Sequence, residues 1–457
     1  MIWVSFSICI AVTAIVAVLL YKKYNPQGVL LIAGIVMVAL ASLIGISPVG
    51  VAKETGLQVF DVFRYVEEKF MSNFTRAGLM IMTIGGYVAF MNKIEATNIL
   101  VFLSIKPLKI FKKHPYLAAV LAIPIGQVLF ITTPSAVGVG LLLVSTLYPI
   151  LVNLGVSRMT ALSVIAAATI FDQGPGSANT AAASALVDMT PVNYFMNYQL
   201  PVVIPTTIAL MILFFFYSKY CDRKDAQHGK QIFCDTIDEA ECPNAPEYFA
   251  LLPLLPLLLL VLFSGYVGNF DINISTTVAM MVSFIIAVIC VALRQRNVKA
   301  TLSLFSSFWQ GMGNVFTSVI TLIVAAEIFS GGLINLGFID ALVDGTTSVG
   351  FGGIVISVLI TAIVFLAAML MGSGNAAFFS FSPLLPTISS QLGIPAVQMV
   401  LPSQLAASMG RAASPIAGVI VGICGIAGVS PIELAKRNLP PMVVCVVFLN
   451  ILHYFLQ

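Results

Sequence analysis

Arg411 sits in LAASMGRAASPIAGVIV, inside a run that otherwise reads as apolar helix from about residue 397 to 429. An ionisable side chain about 14 residues into a span lies about 21 Å along the helix axis, near the bilayer midplane. Charge there is costly, and it marks a substrate or ion pathway. The planar guanidinium fork suits a carboxylate. Ser414-Pro415 follows at once, a hydroxyl cap and a proline suited to the first turn of a new helix. The chemistry indicated is recognition of an anion at a broken helix.

Three further clusters share this character: Thr132, Thr133 and Ser135 in TTPSA, Ser177, Asn179 and Thr180 in GPGSANT, and Ser373, Gly374 and Asn375 in SGNA. Each lies where glycine or proline interrupts an apolar run, as at a helix restart. A helix N-terminus carries unpaired N–H groups and about half a positive charge, so several converging on one place form an anion site. Carbonyls freed at the same breaks could coordinate sodium near Gly174, Asn179, Ser373 and Asn375. Two acids complicate this. Asp172 and Glu327 lie inside apolar spans, where a bare carboxylate must be paired, protonated or hydrated. Asp172 is a candidate for proton or cation coupling, with an ion pair to Arg411 as the equal alternative. Glu327 reads first as a helix–helix contact and second as a coupling group.

These clusters are positioned by a duplication. A shift of 240 carries Gly174-Pro175 onto Ser414-Pro415, Pro191 onto Pro431 and Thr133 onto Ser373, and a shift of 239 carries Leu200-Pro201 onto Leu439-Pro440. The same shift brings Asp172 within one residue of Arg411. Glu327 has no ionisable counterpart, since Gly85 occupies the equivalent position at a shift of 242.

With 59% hydrophobic and 9% charged residues, the 457-residue chain is a polytopic helical membrane protein. Spans are expected at 2–20, 29–46, 79–92, 159–187 (broken) and 202–217. Then 249–263, 276–293, 315–336, 397–429 (broken) and 442–454 follow. The first span carries no cleavage site and is retained. Residues 53–73 read as an amphipathic helix at the membrane surface and 98–113 as an interfacial arm. Two re-entrant hairpins are expected around TTPSAVG and MGSGNAAFFSFS, the first with arms of about 15 residues, too short to cross. Five crossings per half force the second repeat (248–457) to be inverted relative to the first (1–217). The first divides into scaffold spans and arm at 1–113, hairpin and broken helix at 114–190, and a last span at 191–217. A cytoplasmic linker fills 218–247. The second divides likewise at 248–350, 351–430 and 431–457.

With the N-terminus outside, 17 of the 22 basic residues are cytoplasmic, only Lys53, Arg64, Lys69 and Arg76 are external, and Arg411 is intramembrane. This is a strong positive-inside bias. The seven cysteines fit no zinc ribbon or finger, including Cys221, Cys234 and Cys242, which share a segment with His228. No Walker A, HExxH or paired intramembrane aspartates are present, which argues against an ATP-driven pump or a membrane protease. No cofactor and no nucleic-acid partner are expected beyond sodium or a proton as coupling ion.

Over nearly its whole length the chain resembles the anaerobic C4-dicarboxylate transporters of the DcuC type, most specifically in VAAEIFSGGLINLGFID, MGSGNAAFF, GRAASPIAGVIV and GVSPIELAKRNLP. FDQGPGSANT departs from the best-known fumarate–succinate exchanger and is closer to the DcuD-like branch. The resemblance implies the ion transporter superfamily: inverted repeats, a dimerising scaffold domain and a mobile transport domain. It also implies exchange or uptake of fumarate, succinate, malate or aspartate across a bacterial inner membrane. The competing function is a cation/proton antiporter titrating Asp172 and Glu327.

Overall fold

Prolines and serines that punctuate the sequence set the helix ends in the computed structural model, which describes residues 2–111, 113–228, 243–263, 272, 274–341, 345 and 352–456. Residues 229–242 of the expected linker, with Cys234 and Cys242, lie outside the described residues. Pro26, Pro115 and Pro191 occupy the first turns of their helices, and Pro431 begins the last one. A proline costs nothing there, because its missing N–H is one that no helix uses. Asn25, Ser135, Ser157, Ser177, Thr190, Ser275, Asn297 and Ser373 each accept a backbone N–H as N-caps.

Among the described residues every regular element is helical, and nine helices are long and apolar enough to cross a membrane. The last helix of the first half shows why the outer faces are apolar. Ile204, Ile208, Ile212 and Phe216 recur every four residues and are each more than half exposed, a lipid-facing stripe.

Three boundaries differ from the sequence reading. The surface helix 53–73 and the third span are one continuous helix, Gln58–Asn73 running through a π turn at Phe74–Gly78 into Leu79–Lys93. Its counterpart in the second half starts well before residue 315, as Val298–Ser303, Phe305–Val315, a π turn at Phe316–Ile320 and Thr321–Asn335. Several polar residues of these first portions stay exposed, among them Gln58, Glu67, Lys299, Gln310 and Asn314, while Lys69 and Asn73 bond Glu327 of the other long helix. Close approach is permitted by glycines: a Cβ on Gly34 would stand 2.5 Å from the Phe329 nitrogen, and one on Gly311 2.6 Å from the Gly85 carbonyl oxygen.

Second, the first hairpin has arms Pro115–Thr132 and Ala136–Asn153 of 18 residues each, about 27 Å long. Length alone therefore does not make it re-entrant. Third, the helix Leu200–Gln227 runs ten residues into the expected linker, because Asp222 and Asp225 find a buried partner in Arg437.

Candidate functional site

Both expected broken helices are broken. Arg158–Ala167 and Ala178–Leu186 flank an irregular segment at 168–177, and Val397–Ala412 and Gly418–Ala427 flank 413–417. Each break is covered by a hairpin tip. Gly174, at φ +94°, lies so close to Ile131 of the first hairpin that a Cβ would meet it at 2.7 Å; Gly372, at φ +70°, is equally close to Ile416 of the second break.

Gly174→Ala therefore combines a left-handed backbone, which costs an ordinary residue about 1–2 kcal/mol, with overpacking of about 1–3 kcal/mol. The expected result is a clear fall in both melting temperature and uptake. Gly425→Ala, where a Cβ meets nothing within 4 Å, should leave both intact; equal behaviour of the two variants would sink the argument.

At the first break, Asp172 accepts from the Ser177 hydroxyl at 2.5 Å and from Asn179 Nδ2 at 2.9 Å. Ser177 Oγ in turn accepts the backbone N–H of Asn179 at 3.1 Å and of Thr180 at 3.4 Å, capping the restarted helix. Asn179 Nδ2 also donates to Asn375 Oδ1 at 3.1 Å, so the first break touches the second hairpin tip. Ser373 caps that tip by accepting the Ala376 N–H at 3.2 Å, and Gly374 packs against the Ala407 carbonyl. Asp172, Ser177, Asn179, Thr180 and Asn375 are thus brought together, all buried except the half-buried Asn375.

Arg411 reaches across from the second break. Its Nη2 donates to the Thr169 carbonyl at 2.5 Å, its guanidinium lies 5.8 Å from the Phe130 ring centroid, and its buried Nε has no hydrogen-bond partner. The expected alternative of an Asp172–Arg411 ion pair is not formed: Asp172 accepts from Ser177 and Asn179, and Arg411 turns to a carbonyl.

The remaining candidates lie elsewhere. Thr132 bonds its own helix at the Leu129 carbonyl, the Thr133 N–H does the same, and Ser135 caps Gly138. The first tip flanks Pro175 and Gly176 and faces Tyr87 without a hydrogen bond to Asp172, Asn179 or Arg411. Ser414 accepts the Ile416 N–H at 3.4 Å within the second break. Glu327 is remote in role: it accepts from Lys69 Nζ at 2.9 Å and from Asn73, joining the two long helices.

Sequence reasoning missed the amides that hold the breaks. Gln199, presented by a π turn at Phe195–Gln199, accepts the Gly174 N–H at 3.1 Å and donates to Thr180 Oγ1 at 3.0 Å. Asn438 donates to the Ala412 carbonyl at 3.0 Å. The two precede Leu200-Pro201 and Leu439-Pro440 at the same shift of 239, which is the signal that could have found them. Gln404 ties the halves together, donating to the Asp172 carbonyl at 3.1 Å and accepting from Tyr194 at 3.0 Å and Gln199 at 3.3 Å.

The two breaks therefore differ chemically. The first holds a carboxylate over a helix start whose N–H groups a serine already caps. The second has a cation with unused donors, and its restarted helix has no side-chain cap at Ala417. An anion is favoured at the second, and a cation or proton at the first. Among the described residues no cluster of three or more His, Cys, Asp or Glu could hold a metal ion.

A family model described as C4-dicarboxylate anaerobic carrier, DcuC, matches residues 5–457. The anaerobic C4-dicarboxylate transporter DcuC of Escherichia coli K12 is 32% identical over 440 residues, covering 95% of this chain and 93% of that protein. A relative in Vibrio cholerae is 31% identical over 436 residues, covering 95% and 94%. In overall fold the chain is similar to the YdaH transporter of Alcanivorax borkumensis, with TM-score 0.58, 15% identity and coverage of 94% and 98%. It is also similar to MtrF of Neisseria gonorrhoeae, with TM-score 0.62, 13% identity and coverage of 94% of each chain.

Proposed function

The chain belongs to the DcuC family of C4-dicarboxylate anaerobic carriers, transporters and not enzymes, and from that premise we propose that it is a secondary active transporter of fumarate, succinate, malate or aspartate. The observation that carries the reading is the meeting of the first break and the second hairpin tip at Asn179 and Asn375, with Arg411 reaching across to Thr169. One carboxylate of the dianion binds at Arg411, whose orphaned Nε and planar fork fit it, and at the uncapped helix start beyond Ser414. The other binds at the second tip, at Ser373, Gly374 and Asn375. Asp172, with Asn179 and the carbonyls around Gly174, takes the coupling sodium or proton, whose charge offsets the dianion's.

Transport proceeds by alternating access of the elevator type. Two inverted repeats each contribute a hairpin and a broken helix to a moving block, which works against the long-helix scaffold of a homodimer in the bacterial inner membrane, N-terminus periplasmic. Supporting this division, the element order of one half recurs in the other and the π turns of the long helices recur at a shift of 242.

Uptake of labelled C2 to C6 mono-, di- and tricarboxylates into proteoliposomes, with and without a sodium or proton gradient, tests the reading. Saturable uptake selective for four-carbon diacids is the expected result. Gradient-driven proton flux without acid uptake would replace it with the antiporter.

A further inference from the structure

The motif VAAEIFSGGLINLGFID and its half-buried acid Glu327 take no part in the midplane site, yet they line a cavity of about 460 Å³. This cavity lies at the Leu186 end of the first broken helix, while a second cavity, walled by Arg158, Lys436 and Arg437, lies at its other end. Asn179 and Asn375 do not line the first of these cavities, but the segments that carry them lead to it. Ala182 and Leu186 follow Asn179 by three and seven residues, and Phe379 and Ser382 follow Asn375 by four and seven, so both helices present one face from the Asn179–Asn375 contact to the cavity.

The polar wall holds two cations with donors to spare. Lys69 gives one of its three N–H donors to Glu327 at 2.9 Å and stands 5.3 Å from the Tyr65 ring centroid. Each Glu327 oxygen accepts one hydrogen bond, from Lys69 and from Asn73, so the acid fixes the position of the lysine. Arg76 gives one donor to the Ala185 carbonyl at 3.0 Å and faces Asp188 at 3.6 Å, an acid that is 92% exposed and well screened. The two residues are seven apart on one helix, an axial rise on the order of 10 Å, which is the scale of a four-carbon diacid with a hydrogen bond of about 2.7–2.9 Å at each end. They are also two of only four basic residues that the topology puts on this side, against the positive-inside trend.

We propose that this cavity is a second binding station for short dicarboxylates, in which Lys69 and Arg76 take the two carboxylates before the molecule descends to Asn179 and Asn375, with Glu327 as the acid that positions Lys69. The proposal rests on the dicarboxylate reading above. Equilibrium binding of labelled succinate and fumarate to the purified full-length protein should count two sites per chain, and one in the Lys69→Met/Arg76→Gln variant. In vesicles of sorted orientation, the same variant should raise KM about three- to tenfold for entry from the cavity's side only. Lys69→Met/Glu327→Gln/Arg76→Gln, which leaves no orphaned carboxylate, should reproduce both effects and rules out misfolding. One site per chain in the unaltered protein, or equal KM changes from both sides, overturns the proposal. Binding of no dicarboxylate at all would overturn the transport reading with it.

Discussion

Arg411→Gln should lower dicarboxylate uptake on the order of 10²–10³-fold while the protein still folds. The guanidinium is buried, with relative exposure of 7%, makes a single hydrogen bond to the Thr169 carbonyl, and has an Nε with no partner. A buried cation so poorly satisfied is costly in the absence of ligand. The cost is recovered when a carboxylate accepts from the fork. Removing one partner of a buried, hydrogen-bonded charge pair loses about 2–5 kcal/mol, and each 1.4 kcal/mol is about tenfold in affinity. Glutamine's Nε2 takes the place of Arg411 Nε, two bonds short of the Nη2 that reaches Thr169, so the variant's melting temperature, read beside its uptake, separates loss of that contact from loss of substrate binding. Arg411→Lys, which keeps the charge but loses the fork, should lie between the two. Uptake by Arg411→Gln within about threefold of the unaltered protein would remove Arg411 from the site.

How much of this was legible depends on whether a residue acts on its neighbours in sequence or across the molecule. Ser135, Ser177 and Ser373 act within three residues, and the helix starts expected at them are where they stand. The breaks at Gly174-Pro175 and Ser414-Pro415 are equally local, since proline and a left-handed glycine end a helix whatever surrounds it. What could not be read is what crosses between halves. Gln404 has valine at its repeat position, and its partners Asp172 and Tyr194 are more than 200 residues away. Lys69 reads as one charge of an amphipathic stripe until residue 327 is placed 2.9 Å from it. Long-range polar contacts in a duplicated chain are asymmetric, so a search for matching positions passes over them. Gln199 and Asn438 are the exception, amides at equivalent positions that each hold the break of their own half.

Asp222→Ala should destabilise the protein more than any substitution near the midplane. Asp222 accepts from Ser157 at 2.8 Å, Thr160 at 2.9 Å, Tyr116 at 2.9 Å and Arg437 at 2.5 Å, and Arg437 bonds Asp225 as well at 3.1 Å. These groups come from the first hairpin, the first broken helix and the last helix of each half, so one carboxylate joins four elements. The Asp222 and Arg437 side chains are only 3% and 7% exposed. Breaking such a pair strands a buried charge and costs about 3–5 kcal/mol, whereas replacing both members by apolar groups is often neutral. Against a total stability of about 5–15 kcal/mol, the single variant should melt far below the unaltered protein, and Asp222→Leu/Arg437→Met should recover most of the loss. A single variant that melts normally would show the cluster to be hydrated and idle. The double variant also separates two roles for the cluster. If it is stable and transports, the cluster only holds the four elements together. If it is stable and silent, the charges themselves take part in the movement, because packing has been restored while the exchangeable polar contacts have not.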